Sequence, residues 1–125
     1  MHIVHLEDES QLREILRLAL TAAAPELNLQ QFVNSDAALE YATANLSGVD
    51  LYILDIQVPG SMNGLEVAKL LRGQGSDSVI VMASAFRVPT QAEMREFDLQ
   101  WFPKPWHIME VVEKLLPMIR ARNGK

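Results

Sequence analysis

The chain has no cysteine among its 125 residues, which excludes disulfides and thiolate metal sites and gives no sign of an oxidising compartment. It has no apolar run near the roughly 18 residues expected of a membrane helix. The opening Met-His-Ile-Val-His-Leu lacks the basic start and cleavage site of a signal peptide, so a cytoplasmic location is expected. Basic charge is also scarce: 11 Lys and Arg against 16 Asp and Glu give a net charge of −5. The basic residues are scattered except near the C-terminal end (Arg120, Arg122, Lys125), which argues against nucleic-acid binding by this domain. A partner domain outside these residues is not excluded from binding DNA.

What is present is an ordinary globular composition, 49% hydrophobic and 22% charged, in a length that suits one domain over 1–125. The most informative stretch is Asp50-Leu-Tyr-Ile-Leu-Asp55-Ile-Gln-Val-Pro59-Gly60. Four residues of apolar, strand-forming character end on a carboxylate, and Pro-Gly soon breaks the regular structure. Such a run suits a strand buried on both faces, as in a parallel sheet. Its last residue would then lie at the carboxyl edge, where open α/β sheets bind ligands.

The rest of the chain repeats this grammar. Ile3–Leu6 reads as a first strand running into Glu7-Asp8-Glu9, with Ser10 as N-cap of a helix. The apolar face of that helix is Leu12, Ile15, Leu16, Ala19, Leu20 and Ala23, bounded by Pro25. Leu29–Val33 is a second strand, and Asn34, Ser35 or Asp36 caps an Ala-rich helix ending near Asn45. Asn63 and Glu66 form a capping box for a helix stopping at Gly73. Val79–Met82 is a fourth strand leading into Ala83-Ser84-Ala85. Thr90 and Glu93 make a second capping box, opening a helix toward Phe97. Trp101-Phe102 is a short fifth strand before Pro103-Lys104-Pro105. A last helix carries Ile108, Val111, Val112, Leu115 and Ile119 on one face. Pro117 is expected to kink or fray its end, leaving 120–125 loose. Five strands alternating with five helices predict a doubly wound α/β parallel sheet, helices on both faces.

The polar residues that close these apolar runs fall on one edge. Glu7 and Asp8 follow strand one, Asp55 ends strand three, Ser84 follows strand four and Lys104 follows strand five. Adjacent carboxylates repel unless a cation sits among them, and Mg²⁺ suits carboxylates, water and phosphate oxygens. A carboxylate can also attack phosphorus. A metal, an ammonium and a hydroxyl would neutralise the charge on a transferring phosphoryl group.

On the ordered set Glu7-Asp8, Asp55-x-x-x-Pro59-Gly60, Ser84-Ala85 and Lys104-Pro105, the chain resembles the receiver domains of two-component response regulators along essentially its whole length. The resemblance implies a flavodoxin-like sheet in the order 2-1-3-4-5. It makes Asp55 the phospho-acceptor, and Glu7, Asp8, Asp55 and the Gln57 backbone carbonyl the Mg²⁺ ligands. Ser84 and Lys104 become the residues that contact the phosphoryl group, and Ser84 and Trp101 the switch pair, with Lys104–Pro105 a cis peptide bond. It implies a phosphorelay switch rather than a turnover enzyme. The donor would be a sensor histidine kinase or histidine phosphotransfer protein. Output would pass through the face of helix four, strand five and helix five to a downstream protein or an effector domain beyond these residues, with a homodimer on phosphorylation as one further form.

The sequence departs from the family pattern in places. The loop Pro59–Gly64 is one residue longer than the commonest form, and Trp101 is larger than the usual Tyr or Phe. Phe97-Asp98 replaces the usual Gly-Ala, and a bulky Phe86 suggests slow loss of the phosphate. A phosphatase of the haloacid dehalogenase type would want a second Asp where Gln57 stands. A flavodoxin-like carrier would not place Glu7-Asp8-Glu9 against a phosphate. A receiver-like scaffold that takes no phosphate is the blander alternative, and the complete residue set argues against it. Glu9 reads as a solvated residue, Trp106 as either a partner anchor or a ring buried under the last helix, and His2, His5 and His107 lack metal-ligand spacing.

Overall fold

The structure is a computed structural model, and it describes residues 1–85 and 87–123. Its five strands are β1 (His2–Leu6), β2 (Asn28–Phe32), β3 (Leu51–Asp55), β4 (Val79–Ser84) and β5 (Leu99–Pro103). They alternate with α1 (Ser10–Ala23), α2 (Ser35–Ala44), α3 (Gly64–Gly73), α4 (Gln91–Glu96) and α5 (Ile108–Asn123). All strand pairs are parallel and the order is β2-β1-β3-β4-β5, as expected.

The continuous apolar runs of the central strands are explained by two cores. Side chains alternate across a strand, so Tyr52 and Leu54 of β3 join Val4, Leu6, Ile80 and Met82 in one cluster with α2 and α3. Leu51 and Ile53 point the other way, joining Ile3, Val81 and Ala83 against Leu16 and Leu20 of α1 and Leu115 and Ile119 of α5. Every residue of β3 is buried, Asp55 included. Each full burial of a large aliphatic side chain contributes about 1.5–3 kcal/mol, which fixes the strand register and so the position of whatever follows each strand end.

Local chemistry sets the element boundaries. Both capping boxes form, Asn63 with Glu66 and Thr90 with Glu93, and Asn34 caps α2 by accepting from the Ala37 N–H at 2.9 Å. Ser10 is not the cap of α1; it is the first helical residue, and Glu9 holds the cap position without a side-chain bond. The turn is organised instead by Glu7, whose carboxylate accepts from the Glu9 N–H at 3.2 Å. The apolar stripe of α1 is narrower than its spacing predicts, since Ile15 and Ala23 lie exposed beside buried Leu16 and Leu20. β2 begins one residue earlier than expected and leaves Val33 exposed, while β5 extends the predicted Trp101-Phe102 on both sides.

The expected fraying after Pro117 does not occur, because α5 continues to Asn123. Pro117 and Glu113, the residue whose carbonyl it deprives of a donor, both lie on the exposed side, where water can replace the bond. The last turn is tied down by Arg122, which reaches Asp50 at 2.7 Å and Asp77 at 3.0 Å. Residues 124 and 125 of the expected tail lie outside the described residues.

Candidate functional site

The strand ends meet at one cavity of about 230 Å³, lined by Asp8, Glu9, Asp55, Gln57, Ser84, Ala85 and Lys104. Glu7 lies beneath it, 1% exposed. Its backbone N–H donates to the Phe32 carbonyl at 2.9 Å and its carbonyl accepts from Arg13 Nη1 at 2.8 Å, so β1 is held at its exit from both neighbours. Carboxylate oxygens of Glu7, Asp8 and Asp55 all lie within 4.8 Å of one another.

Lys104 is the cation facing this group. Its Nζ ion-pairs with Glu7 Oε1 and with Asp55 Oδ2, the latter at 3.0 Å. Its backbone N–H donates to the Ser84 carbonyl at 3.1 Å, anchoring the end of β5 to that of β4, and the Lys104–Pro105 peptide bond is cis. Burial alone would lower the Lys104 pKa, but its bonds to Glu7 and Asp55 outweigh that and hold it above the ordinary lysine value. Burial pushes Glu7 up to about 7, opposed by Lys104 and reinforced by Asp55. Of the three carboxylates, two pair with the Lys104 ammonium, so among the described residues the cluster is short of positive charge. All its donors are hard oxygens, which is the chemistry of a Mg²⁺ or Ca²⁺ site rather than of a soft metal.

Ser84 is 3% exposed and its Oγ accepts from the Arg87 N–H at 3.0 Å, so the hydroxyl caps the loop between β4 and α4. Gln57 sits exposed on the rim. The segment after Asp55 returns so closely that a side chain at Gly64 would place its Cβ 1.8 Å from the Asp55 carbonyl oxygen, which no other residue could satisfy.

The loop Pro59–Gly64 is clasped to the start of α2. The Ser35 N–H donates to the Pro59 carbonyl at 2.9 Å, the Ser61 N–H donates to Asp36 Oδ2 at 2.9 Å, and the Ser61 hydroxyl donates to Asp36 Oδ1. Gly60 has φ +124° and lies against Ser35, where a Cβ would meet Oγ at 2.2 Å. Sequence reasoning weighed Ser35 and Asp36 only as helix caps, and no local pattern links them to a loop 25 residues on.

The match to known proteins is now decisive. The family model of the response regulator receiver domain covers residues 3–115. The chain belongs to that family. It is 28% identical over 126 aligned residues to the response regulator ArlR of Staphylococcus aureus, covering 98% of this chain and 54% of that protein. It is 39% identical over 72 residues to the cyclic di-GMP phosphodiesterase response regulator RpfG of Xanthomonas campestris, covering 58% of this chain and 18% of that one. The chain thus spans about half or less of the length of these curated relatives. Among solved structures, response regulator TrrA of Thermotoga maritima, crystallised in complex with Mg²⁺-BeF, superposes with a TM-score of 0.78 at 27% identity, over 94% of this chain and 97% of that one. Receiver domains are the phosphorylation-dependent switches of two-component systems, and this one has no described helix long and apolar enough to cross a membrane.

The remaining family positions of this receiver domain are placed as follows. Trp101 is half-buried at the edge of the α2–α3 core, opposite Met82 in the sheet, and its buried indole N–H has no partner among the described residues. Phe86 lies outside the described residues. Asp98, the second residue of the Phe97-Asp98 pair, adopts φ +51°, a conformation that favours glycine. It is steadied there by Arg72, whose Nη2 donates to the Asp98 carbonyl at 2.9 Å. Trp106 is half-buried against the α1–α5 core. His5 is buried, and burial first, then Lys104 and Arg13, lower its pKa to about 3.

Proposed function

We propose that Asp55 is the phospho-acceptor of a two-component phosphorelay. The observation that carries this reading is the convergence of Glu7, Asp8, Asp55 and Lys104 at the ends of β1, β3 and β5. An Asp55 carboxylate oxygen attacks phosphorus, the bond to the donor's imidazole nitrogen breaks, and an acyl phosphate forms. The donor is a sensor histidine kinase or a histidine phosphotransfer protein. Glu7, Asp8, Asp55 and the Gln57 backbone carbonyl would hold Mg²⁺, which when bound supplies charge neutralisation on the phosphoryl oxygens. Lys104, already 3.0 Å from Asp55 Oδ2, is placed to meet the same oxygens.

The switch follows from what Ser84 does before phosphate arrives. Its hydroxyl is engaged with the Arg87 N–H. Turning toward a phosphoryl group that carries about −1.5 to −2 charge would release that cap and let the β4–α4 loop rearrange. Trp101, whose N–H has no partner among the described residues, would be the second group to move. The change is read on the α4–β5–α5 face by a downstream protein or an effector region, with pairing of two copies as one outcome. A cytoplasmic setting without direct nucleic-acid contact fits the net charge of −5. The domain promotes its own phosphorylation and dephosphorylation and is not a turnover enzyme.

The test is to incubate the protein with Mg²⁺ and acetyl phosphate and weigh it. One added phosphoryl group is expected on the wild type and none on Asp55→Asn. An unmodified wild type, or an adduct that survives in Asp55→Asn, would remove Asp55 from this role.

A further inference from the structure

Lys104 has a third neighbour besides its two carboxylates. Its Nζ stands 5.8 Å from the centroid of the Trp106 ring, within the range of a cation–π contact. Behind the indole lies His5, with centroids 6.3 Å apart and planes at 33°. His5 is held in turn by Gln31, whose Nε2 is 3.1 Å from His5 Nδ1 and 2.8 Å from the Arg13 carbonyl. The buried Trp106 N–H has no partner among the described residues. No hydrogen bond therefore sets the ring's position; its contacts with Lys104, His5 and the α1–α5 core do.

This arrangement matters because the carboxylates have two claims on them. On the reading of Asp55 given above, Glu7 and Asp55 are also cation ligands, and oxygens that turn to a metal no longer fix the ammonium. The attraction of an indole face does not change with metal occupancy. We propose that Trp106 is a positioning residue for Lys104, whose ring keeps the ammonium beside Asp55 when Glu7 and Asp55 are engaged elsewhere.

Two measurements on the full chain test this. In NMR spectra, the Lys104 side-chain methylene protons should be shifted upfield by the indole ring current, less so in Trp106→Phe, and not in Trp106→Leu. At saturating Mg²⁺, the initial rate of phosphorylation by acetyl phosphate should fall about fivefold in Trp106→Leu and stay within about twofold in Trp106→Phe, the scale of one cation–π contact. Half-saturation by Mg²⁺ should not move in either. In a Lys104→Met background the Trp106→Leu change should slow the reaction no further. Equal slowing by Phe and Leu, persistence of the Leu effect without Lys104, or Lys104 resonances indifferent to Trp106→Leu would each overturn the proposal. Trp106→Met replaces the Leu variant if that one does not fold. If the wild type takes no phosphate, the Asp55 reading fails, while the NMR comparison still decides whether Trp106 holds Lys104. The same comparison decides it if Lys104→Met takes none.

Discussion

The two ends of the sheet carry buried charge in opposite ways. At the carboxyl edge, Glu7, Asp8 and Asp55 crowd within 4.8 Å, with Lys104 bonded to Glu7 and Asp55. At the amino edge, two guanidiniums are held by several acceptors each, although the buried Arg122 Nε has no partner among the described residues. Arg72 donates to four backbone carbonyls, those of Phe97 at 2.7 Å, Ser76 at 3.0 Å, Ser78 at 2.7 Å and Asp98 at 2.9 Å. Arg122 bridges Asp50 and Asp77. Arg72, bonded through all three of its guanidinium nitrogens, acts as a structural tie, joining the end of α3, the entry to β4 and the turn into β5. The acidic cluster stores a demand for positive charge, which a cation and a phosphoryl group can meet together.

If that contrast is right, removing charge from the two edges should shift stability in opposite directions. Arg72→Ala would leave four carbonyls without their donor, and a loss of about 3–4 kcal/mol in urea unfolding is expected. A loss under 1 kcal/mol would show that water replaces the guanidinium easily, and the amino edge would no longer count as a built tie. His5 shows how far the carboxyl edge reaches into the core. Its folded pKa of about 3 lies below the ordinary 6.5, so its contribution is present above pH 6.5 and lost as pH falls toward 3. The full loss is about 5 kcal/mol by linkage. His5→Phe, which keeps a ring against Trp106, should unfold at lower pH than the wild type; an unchanged acid midpoint would mean that His5 is solvated.

The legibility of the two edges in the sequence was unequal. At the functional edge each residue ends an apolar run, so Glu7, Asp8, Asp55, Ser84 and Lys104 could be found from strand periodicity and the parallel rule alone. Arg72 gave no such signal. It reads as a basic residue in the last turn of α3, and its partners are carbonyls, which have no sequence identity. The same blindness applies to Arg122, whose ties to Asp50 and Asp77 hold a helix end that Pro117 alone argued would fray. It also applies to Asp98, where a guanidinium on a distant helix steadies a conformation that composition would assign to glycine. The strands and their cores followed from local pattern and the strand order from the family resemblance; long-range ties to backbone followed from neither.

A smaller effect is expected at Glu7, and of the opposite sign to Arg72→Ala. Its folded pKa of about 7 is raised above the ordinary 4.5, so its contribution is full below pH 4.5 and lost as pH rises through 7. Glu7→Gln cannot ionise. It should match the wild type near pH 4 and exceed it by about 1–2 kcal/mol at pH 8 without metal. Millimolar Mg²⁺ should then stabilise the wild type more than the variant, because only the ionised carboxylate gains from the cation. A variant less stable than the wild type at pH 8 would show that the Lys104 ion pair already satisfies Glu7, and the charge deficit of the carboxyl edge would be fictitious.

The smallest expected effect falls on the clasp between α2 and the loop that follows Asp55. Asp36 is exposed, and its two bonds from Ser61 hold its carboxyl below the usual range, so it stays ionised across any practical assay. Surface bonds of this kind contribute little to the free energy of folding, and Asp36→Ala should leave the unfolding midpoint where it is. The loop it restrains also carries Gln57, the carbonyl ligand proposed for Mg²⁺. Freeing the loop should therefore raise the Mg²⁺ concentration for half-maximal phosphorylation by about two- to threefold, below the 10–100-fold of a direct outer-shell partner. Ser61→Ala should do the same to a lesser degree, since its backbone N–H still reaches Asp36 at 2.9 Å. A Mg²⁺ response unchanged in both variants would make the clasp a surface feature, and the order of the carboxyl edge would then rest on Gly64 and the strand register alone.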